Sequence, residues 1–371
     1  MAHALRLAQR GLYTTAPNPR VGCVVVRDGR VVGEGFHRRA GEAHAEAIAL
    51  AAAGASAHGA TVYVTLEPCR HTGRTPPCTA ALIAAGVTRV VAAMEDPDPR
   101  VAGQGLRDLA AAGVVTACGL AESAARALNA GFISRLSRSR PLVRVKLAMS
   151  LDGRTAMAGG ESRWITGPAA RRDVQHWRAQ SGAVVTGIGT VLADDPALDV
   201  RPEDMAERAS RLVRPLRQPL RVVLDSRFRT PRGARMLQRD GAVIIAGSTP
   251  PGPRQAPLRE RAELLVLEND GGRPSPLALL EVLARRGVND VLVEAGPTLA
   301  GAFVHGGLAD ELILYAAPTL LGSDARPLLE LPGITRMSQQ LRLEIIDLTR
   351  VGRDLRLRLR PEAGTAAANH R

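Results

Sequence analysis

The chain has 371 residues, 49 Lys and Arg against 36 Asp and Glu for a formal charge of +13, 2% aromatic residues and four cysteines. That length exceeds the roughly 250–300 residues at which a single core stops growing, so two domains are expected. Four cysteines exclude a disulfide framework, and the basic residues, nearly all arginine and scattered, do not by themselves argue for a nucleic-acid partner.

The start of the chain lacks the charged and apolar pattern of a secretory leader, and no apolar run approaches the roughly 20 residues that cross a bilayer. The expectation is a cytoplasmic protein with no membrane partner. Residues 2–12 read as a short amphipathic helix, stopped by Gly11 and by Pro17 and Pro19. Val21–Val26 and Val31–Phe36 read as strands of a hairpin turning at Asp28-Gly29. A helix follows from near Ala43 to Ala53. Thr61–Thr65 and Arg89–Ala93 are short apolar strands beside alanine-rich helices at 79–85 and 105–112, and a further helix covers 121–136. Strands alternating with helices imply an α/β layer around one sheet. Cys23 and Cys118 read as buried packing residues.

Chemistry concentrates between His44 and Cys78. His44-Ala45-Glu46 precedes the strand at 61–65, Pro68-Cys69 follows it, and Cys78 comes later. One imidazole and two thiols are zinc ligand types, and three protein ligands leave a position for water. The H-x-E and P-C signatures are those of zinc deaminases, in which the glutamate moves protons without binding metal. The second cysteine lies beyond the usual P-C-x-x-C spacing. In this layout His44 occupies the first turn of a helix, and Pro68 and Cys69 stand where the next helix begins. A helix start favours thiolate over thiol. Glu46, two positions from His44, does not share its helix face. A structural zinc site closed by His71 is the competing reading.

Asn18-Pro19-Arg20-Val21-Gly22, His44-Ala45-Glu46 and the stretch from Pro68 to Cys78 resemble the bifunctional deaminase/reductases of riboflavin biosynthesis, in which the longer cysteine gap is normal. The resemblance implies a cytidine-deaminase-like three-layer α/β/α domain over 1–140. It implies zinc held by His44, Cys69 and Cys78, Glu46 as proton shuttle, and substrate contacts from Asn18, His37, His71, Arg74 and Asp96. Where that family usually reads Asp-Pro-Asn-Pro, this chain has Asp98 in place of the asparagine.

In the second half, residues 141–148 form a strand carrying Lys146, the single lysine of the chain. A proline-started helix covers 168–179. The strand 184–187 runs into Gly187-Ile188-Gly189-Thr190, which lacks the third glycine of the dinucleotide fingerprint and so disfavours a classical Rossmann domain. A second strand-to-helix junction at 291–301 places Gly296 and Pro297 at a helix start, a geometry able to hold phosphate through free N–H groups. Residues 201–219 and 249–257 read as surface loops, 341–351 with 355–360 as a terminal hairpin, and 361–371 as a frayed end.

Residues 146–153, 162–167, 189–196, 223–226 and 294–297 resemble the reductase half of the same family. The resemblance implies a dihydrofolate-reductase-like α/β domain over 141–361 with a flexible tail at 362–371, and NADPH as cofactor. Ala148, Trp164, Thr190, Asp194, Ser226 and Gly296 would line that cofactor. Lys146, Ser162, Arg178, Leu198, Arg201 and Glu294 would hold a phosphoribosylaminopyrimidine; a merely solvated strand residue is the bland alternative for Lys146. The resemblance also implies a homo-oligomer, dimer or larger, assembled through reductase domains. Deamination of 2,5-diamino-6-(5-phosphoribosylamino)pyrimidin-4-one and then NADPH-dependent reduction of its ribosyl chain are the expected activities, with Asp194 or Glu294 as candidate proton donor. Two other readings compete. A deaminase that edits nucleic acid needs an aromatic stacking platform that 2% aromatic residues hardly supply, and a zinc-stabilised binding module needs no role for Glu46.

Overall fold

The computed structural model describes residues 1–70, 76–99, 101–205 and 215–362. The described residues fall into two compact units, one of Met1–Arg140 with residues 215 and 216, the other of the rest from Pro141 onward.

The first unit is built on the sheet β2-β1-β3-β4-β5. Its elements in chain order are α1 (Ala2–Gln9), β1 (Gly22–Arg27), β2 (Arg30–Phe36), α2 (Ala45–Ala53), β3 (Thr61–Val64), α3 (Cys78–Ala84), β4 (Arg89–Ala92), α4 (Gln104–Ala111), β5 (Val115–Cys118), α5 (Glu122–Leu128) and α6 (Ala130–Arg138). β1 runs antiparallel to β2 and β3, and β3, β4 and β5 are mutually parallel. Asp28 and Gly29 both take positive φ, 51° and 74°, as a tight hairpin turn requires. Ala4 and Leu7 of α1 pack with Val24 and Phe36 on one face. Cys23, Val25, Ala45 and Ala49 lie in the core on the other. Two glycines of β2 set the depth of α2. A Cβ on Gly33 would stand 2.2 Å from Ala49 O, and one on Gly35 2.5 Å from Ala45 O. The helix backbone therefore rests directly on the strand, which fixes its first residues beside the end of β2.

The second unit carries a nine-stranded sheet ordered β11-β10-β9-β8-β14-β6-β15-β18-β17. It comprises β6 (Leu142–Ser150), β7 (Arg154–Ala156), α7 (Pro168–Gln180), β8 (Ala183–Gly187), α8 (Ile188–Asp194), β9 (Leu220–Leu224), β10 (Val243–Gly247), β11 (Glu263–Val266), β12 (Asn269–Asp270), β13 (Arg273–Pro274), α9 (Pro276–Arg285), β14 (Asp290–Glu294), α10 (Pro297–His305), β15 (Glu311–Ala317), β16 (Arg326–Pro327), β17 (Leu343–Val351) and β18 (Asp354–Pro361). Strands from β11 through β15 are parallel, and the β17–β18 hairpin closes one edge antiparallel. Alternation sorts the strand side chains. Val143, Val145 and Leu147 pack under α9 and α10 with Leu279, Leu283 and Phe303, while Val184, Val223 and Leu292 face Val174 and Trp177 of α7. Lys146 and Glu294, in register on adjacent strands, follow the second parity.

Several expectations need correction. Cys118 is exposed, because β5 is an edge strand of its sheet. Pro68 and Cys69 are not in a helix, and α3 begins at Cys78. His44 is the N-cap of α2 rather than part of its first turn. The helix expected over 121–136 breaks at Asn129, whose buried amide accepts from Arg20 N at 2.8 Å and donates to Arg20 O at 3.0 Å. Part of the 249–257 loop belongs to a 3-10 helix, Pro253–Glu260. Glu362, placed in the expected tail, still donates its N–H to Arg342 O; residues 363–371 lie outside the described residues.

Candidate active sites

In the first unit, the ligand atoms of His44, Cys69 and Cys78 lie within 4.8 Å of one another. His44 Nδ1 is 3.2 Å from Cys78 Sγ and 3.5 Å from Cys69 Sγ. Cys69 also receives the Cys78 N–H at 3.5 Å, so the opening of α3 does face a thiol, although that thiol sits outside the helix. The cysteine–cysteine hydrogen bond draws Cys69 far down from its ordinary value, to about 4, and the same shared proton pushes Cys78 up. The hydrogen bond with Cys69 raises His44. A donor set of two sulfurs and one imidazole nitrogen, gathered this tightly, fits zinc. Among the described residues no fourth His, Cys, Asp or Glu joins the cluster. His71 and Arg74 lie outside the described residues.

Glu46, in the first turn of α2, is 4% exposed, and burial lifts its carboxyl to about 7. A carboxyl poised near neutrality can both accept and return a proton. His37 is buried beside the cluster, its ring 5.5 Å from that of His44 and edge-on to it. Its Nδ1–H donates to Ala43 O at 3.2 Å, which leaves Nε2 to accept from the Asn18 amide at 3.1 Å. Burial lowers its pKa, in keeping with a neutral ring. Asp96 accepts the Asp98 N–H at 2.9 Å, and Asp98 is itself buried, its charge felt by Arg135 of α6. Glu67, which the sequence reading passed over, sends its carboxylate to the N–H groups of Asp96, Gly103, Gly105 and Leu106. The only sequence signal for it was its place before Pro68-Cys69.

In the second unit, Thr190, Ser226, Glu294 and Gly296 lie at or just past the carboxyl ends of β8, β9 and β14, where open parallel sheets bind ligands. Arg178 on α7 grips Glu294 at two points, Nε to Oε1 at 2.6 Å and Nη2 to Oε2 at 2.9 Å, and its Nη1 donates to Asp199 O at 3.1 Å. Lys146 stands within the fields of Glu294, Arg178 and Asp194. Burial lowers its pKa, with Arg178 adding to the effect, and the side chain is half-buried. Asp194 accepts from Ser162 Oγ at 3.2 Å, and Arg163 donates to its backbone carbonyl. Trp164 is 66% exposed, and the Arg171 guanidinium lies 4.4 Å from its ring centroid.

The N-caps of α8 and α10 are Gly187 and Gly296, and Gly296 N–H donates to Thr190 Oγ1 at 3.3 Å, so two helix starts stand side by side. A Cβ on Gly189 would meet nothing within 4 Å, which leaves open space above α8. Leu198 is buried with a φ of 54°. Arg201 is anchored through its N–H to Gln175 Oε1 at 3.0 Å and turns its guanidinium to Asp204 at 2.6 Å. Ser226 directly follows Asp225 past the end of β9, and Ala148 lies on β6 opposite Tyr315. Paired helix N-termini, an exposed indole and an open glycine floor fit a dinucleotide.

The first unit has the fold and donor set of a zinc-dependent deaminase, and the second is an α/β unit whose parallel strands β8 and β14 lead into two adjoining helix starts. Comparison with known proteins is specific on both. Residues 1–94 match the cytidine and deoxycytidylate deaminase zinc-binding region, and residues 141–357 match the RibD C-terminal domain. The chain is 52% identical to the riboflavin biosynthesis protein RibD of Escherichia coli (strain K12), over 97% of this chain and 98% of that one. The structure of Acinetobacter baumannii RibD matches with a TM-score of 0.88 at 49% identity, covering 97% of each chain. That of a diaminohydroxyphosphoribosylaminopyrimidine deaminase/5-amino-6-(5-phosphoribosylamino)uracil reductase from Thermotoga maritima matches with a TM-score of 0.85 at 31% identity, covering 98% of this chain and 97% of that one. The chain belongs to the RibD family, the bifunctional deaminase/reductases of riboflavin biosynthesis. Among the described residues no helix is long and apolar enough to cross a membrane.

Proposed function

We propose that residues 1–140 deaminate 2,5-diamino-6-(5-phosphoribosylamino)pyrimidin-4-one and that residues 141–361 reduce the ribosyl chain of the product, the first reaction feeding the second. The observation that carries the first half is Glu46, buried and near neutral beside three converging zinc donors. His44, Cys69 and Cys78 hold the metal, which when bound supplies Lewis-acid activation of water. Glu46 would take a proton from the water whose oxygen bonds to pyrimidine carbon 2 and return it to the amino group on that carbon, whose C–N bond then breaks to release ammonia. His37, its ring nitrogens taken by Ala43 O and the Asn18 amide, fixes Asn18 so that the amide oxygen meets the ring, with the His37 ring face, His71, Arg74 and Asp96 as further contacts.

NADPH, when bound, supplies the hydride that reduces ribose C1. The helix starts at Thr190 and Gly296 hold its diphosphate, while Ala148, Trp164, Asp194 and Ser226 border it. Lys146 donates to ribosyl oxygens, with Glu294 set beside it by Arg178. Ser162, Leu198 and Arg201 complete the pocket, the arginine suited to phosphate by its forked donors. The working form is a homo-oligomer, dimer or larger, joined through reductase domains, and its compartment is the cytoplasm. A paired assay of ammonia release and NADPH oxidation, with zinc content measured, tests the reading. Absence of either activity in zinc-loaded protein contradicts it.

A further inference from the structure

Glu67 is 3% exposed, and both of its carboxylate oxygens are engaged by backbone. Oε2 accepts from Asp96 N at 3.0 Å and Gly103 N at 2.8 Å; Oε1 accepts from Gly105 N at 2.8 Å and Leu106 N at 3.2 Å. Gly103 is the N-cap of α4 and, as glycine, offers no capping side chain, so a carboxylate from a distant loop neutralises that helix start. The loop and the helix also touch through backbone. A Cβ on Gly105 would stand 2.1 Å from Pro68 O, so the carbonyl next to Cys69 rests on the glycine itself.

We infer that Glu67 is a positioning residue joining the two halves of the deaminase site, setting the metal ligand Cys69 on one side and the pyrimidine contact Asp96 on the other. The inference rests on the deaminase reading above and deepens it. The physical reason is the geometry of the four bonds. A carboxylate offers two acceptor oxygens for two N–H pairs. A carboxamide of the same size keeps one oxygen and turns an NH₂ toward the other pair, so two buried donors lose their partner. The loop holding Cys69 then keeps its backbone tie, Glu67 N–H to Met94 O at 3.0 Å, but loses part of the side-chain clamp that sets it against Asp96 and the start of α4.

The test is Glu67→Gln in the full chain, read by circular dichroism and melting temperature, by zinc affinity in competition with a chromogenic chelator, and by KM and kcat for ammonia release in excess zinc. Glu67 acts on Cys69 through the backbone rather than by a bond to the thiol, so the expected loss of zinc affinity is about tenfold, the lower end of what removing a ligand's own outer partner costs. KM is expected to rise about tenfold, as one lost buried contact predicts, while kcat at saturating zinc and substrate stays within about threefold. A purely structural role lowers the melting temperature and leaves KM and zinc affinity of the folded protein unchanged, and that result overturns the inference. Gly105→Ala, which pushes on Pro68 from the other side, is the second probe and should shift zinc affinity and KM in the same direction. If it folds with both at wild-type values, or if neither variant folds, the positioning role is overturned. Wild-type protein that is loaded with zinc and releases no ammonia defeats the deaminase reading instead.

Discussion

Arg178 and Glu294 form a two-point ion pair, with contacts of 2.6 and 2.9 Å, between α7 and the carboxyl end of β14. Both side chains are largely buried. Burial alone pushes the Glu294 carboxyl up, but the attraction and hydrogen bonds of Arg178 outweigh it and hold the group below its ordinary range. A carboxyl depressed in the folded state contributes stability above its unfolded pKa and loses it as pH falls through the lower folded value. The melting temperature of the reductase unit should therefore decline on the acid side of the ordinary carboxylate range. Arg178→Ala leaves a buried charge without its partner and should cost about 3–5 kcal/mol at neutral pH. In that variant only the weaker attraction of Lys146 opposes burial, so the sign reverses and stability falls as pH rises and Glu294 ionises. Melting curves across the acid range check both statements.

Zinc binding requires a neutral imidazole and deprotonated thiols, so uptake releases protons. The Cys69 thiol is already drawn down, whereas the hydrogen bond with Cys69 raises His44 above the ordinary imidazole value. Because Cys78 is pushed up and must give its proton to the solvent, zinc affinity should fall with acidification across the neutral range, and fall more steeply once His44 protonates, at a pH higher than for a free histidine ligand. Chelation should abolish ammonia release, leave NADPH binding within about twofold, and be reversed by zinc; a titration of metal affinity against pH and a dye-binding assay measure this.

The placement of His44 depends on how closely α2 approaches β2. Gly35→Ala sets a methyl 2.5 Å from Ala45 O, one residue from His44. Such overpacking typically costs about 1–3 kcal/mol. The expected result is a lower melting temperature together with reduced zinc content per chain, by metal analysis of the purified variant.

Trp164 presents an exposed indole flanked by Arg171. Trp164→Ala should weaken NADPH binding by about 1–2 kcal/mol, the worth of a lost stacking and cation–π surface. Fluorescence titration should record the weaker binding while ammonia release stays at the wild-type rate. Equal NADPH affinity in the variant would remove Trp164 from the cofactor site.

Motif-borne features were legible in the sequence because each is local. The Asp28-Gly29 hairpin and the glycine–proline starts of α7 and α10 lie within a few residues of the feature they specify, and the zinc donors, 25 and 34 positions apart, were legible through the short His44-Ala45-Glu46 and Pro68-Cys69 signatures. What escaped depends on partners distant in sequence. Asn129 splits a helix to pair with the backbone of Arg20, 109 positions away. Glu67 caps α4 from 36 to 39 positions away, where Gly103 gives no sign of a cap. Cys118 looked buried by composition, but exposure is decided by strand order, and β5 lies at an edge. The ion pair of Arg178 with Glu294 likewise joins residues that only the sheet order brings together.

The central claim, that two separate sites act on one intermediate and that Glu46 moves the proton in the first, is tested most directly by Glu46→Gln. The variant keeps the size of a side chain buried in α2 but removes its capacity to carry a proton. General acid–base catalysis of this kind typically contributes about 10²–10⁴-fold, so ammonia release should fall by at least that factor. NADPH oxidation on the already deaminated substrate should proceed at the wild-type rate. Ammonia release at the wild-type rate, or loss of both activities together in a folded, zinc-loaded protein, would contradict the account.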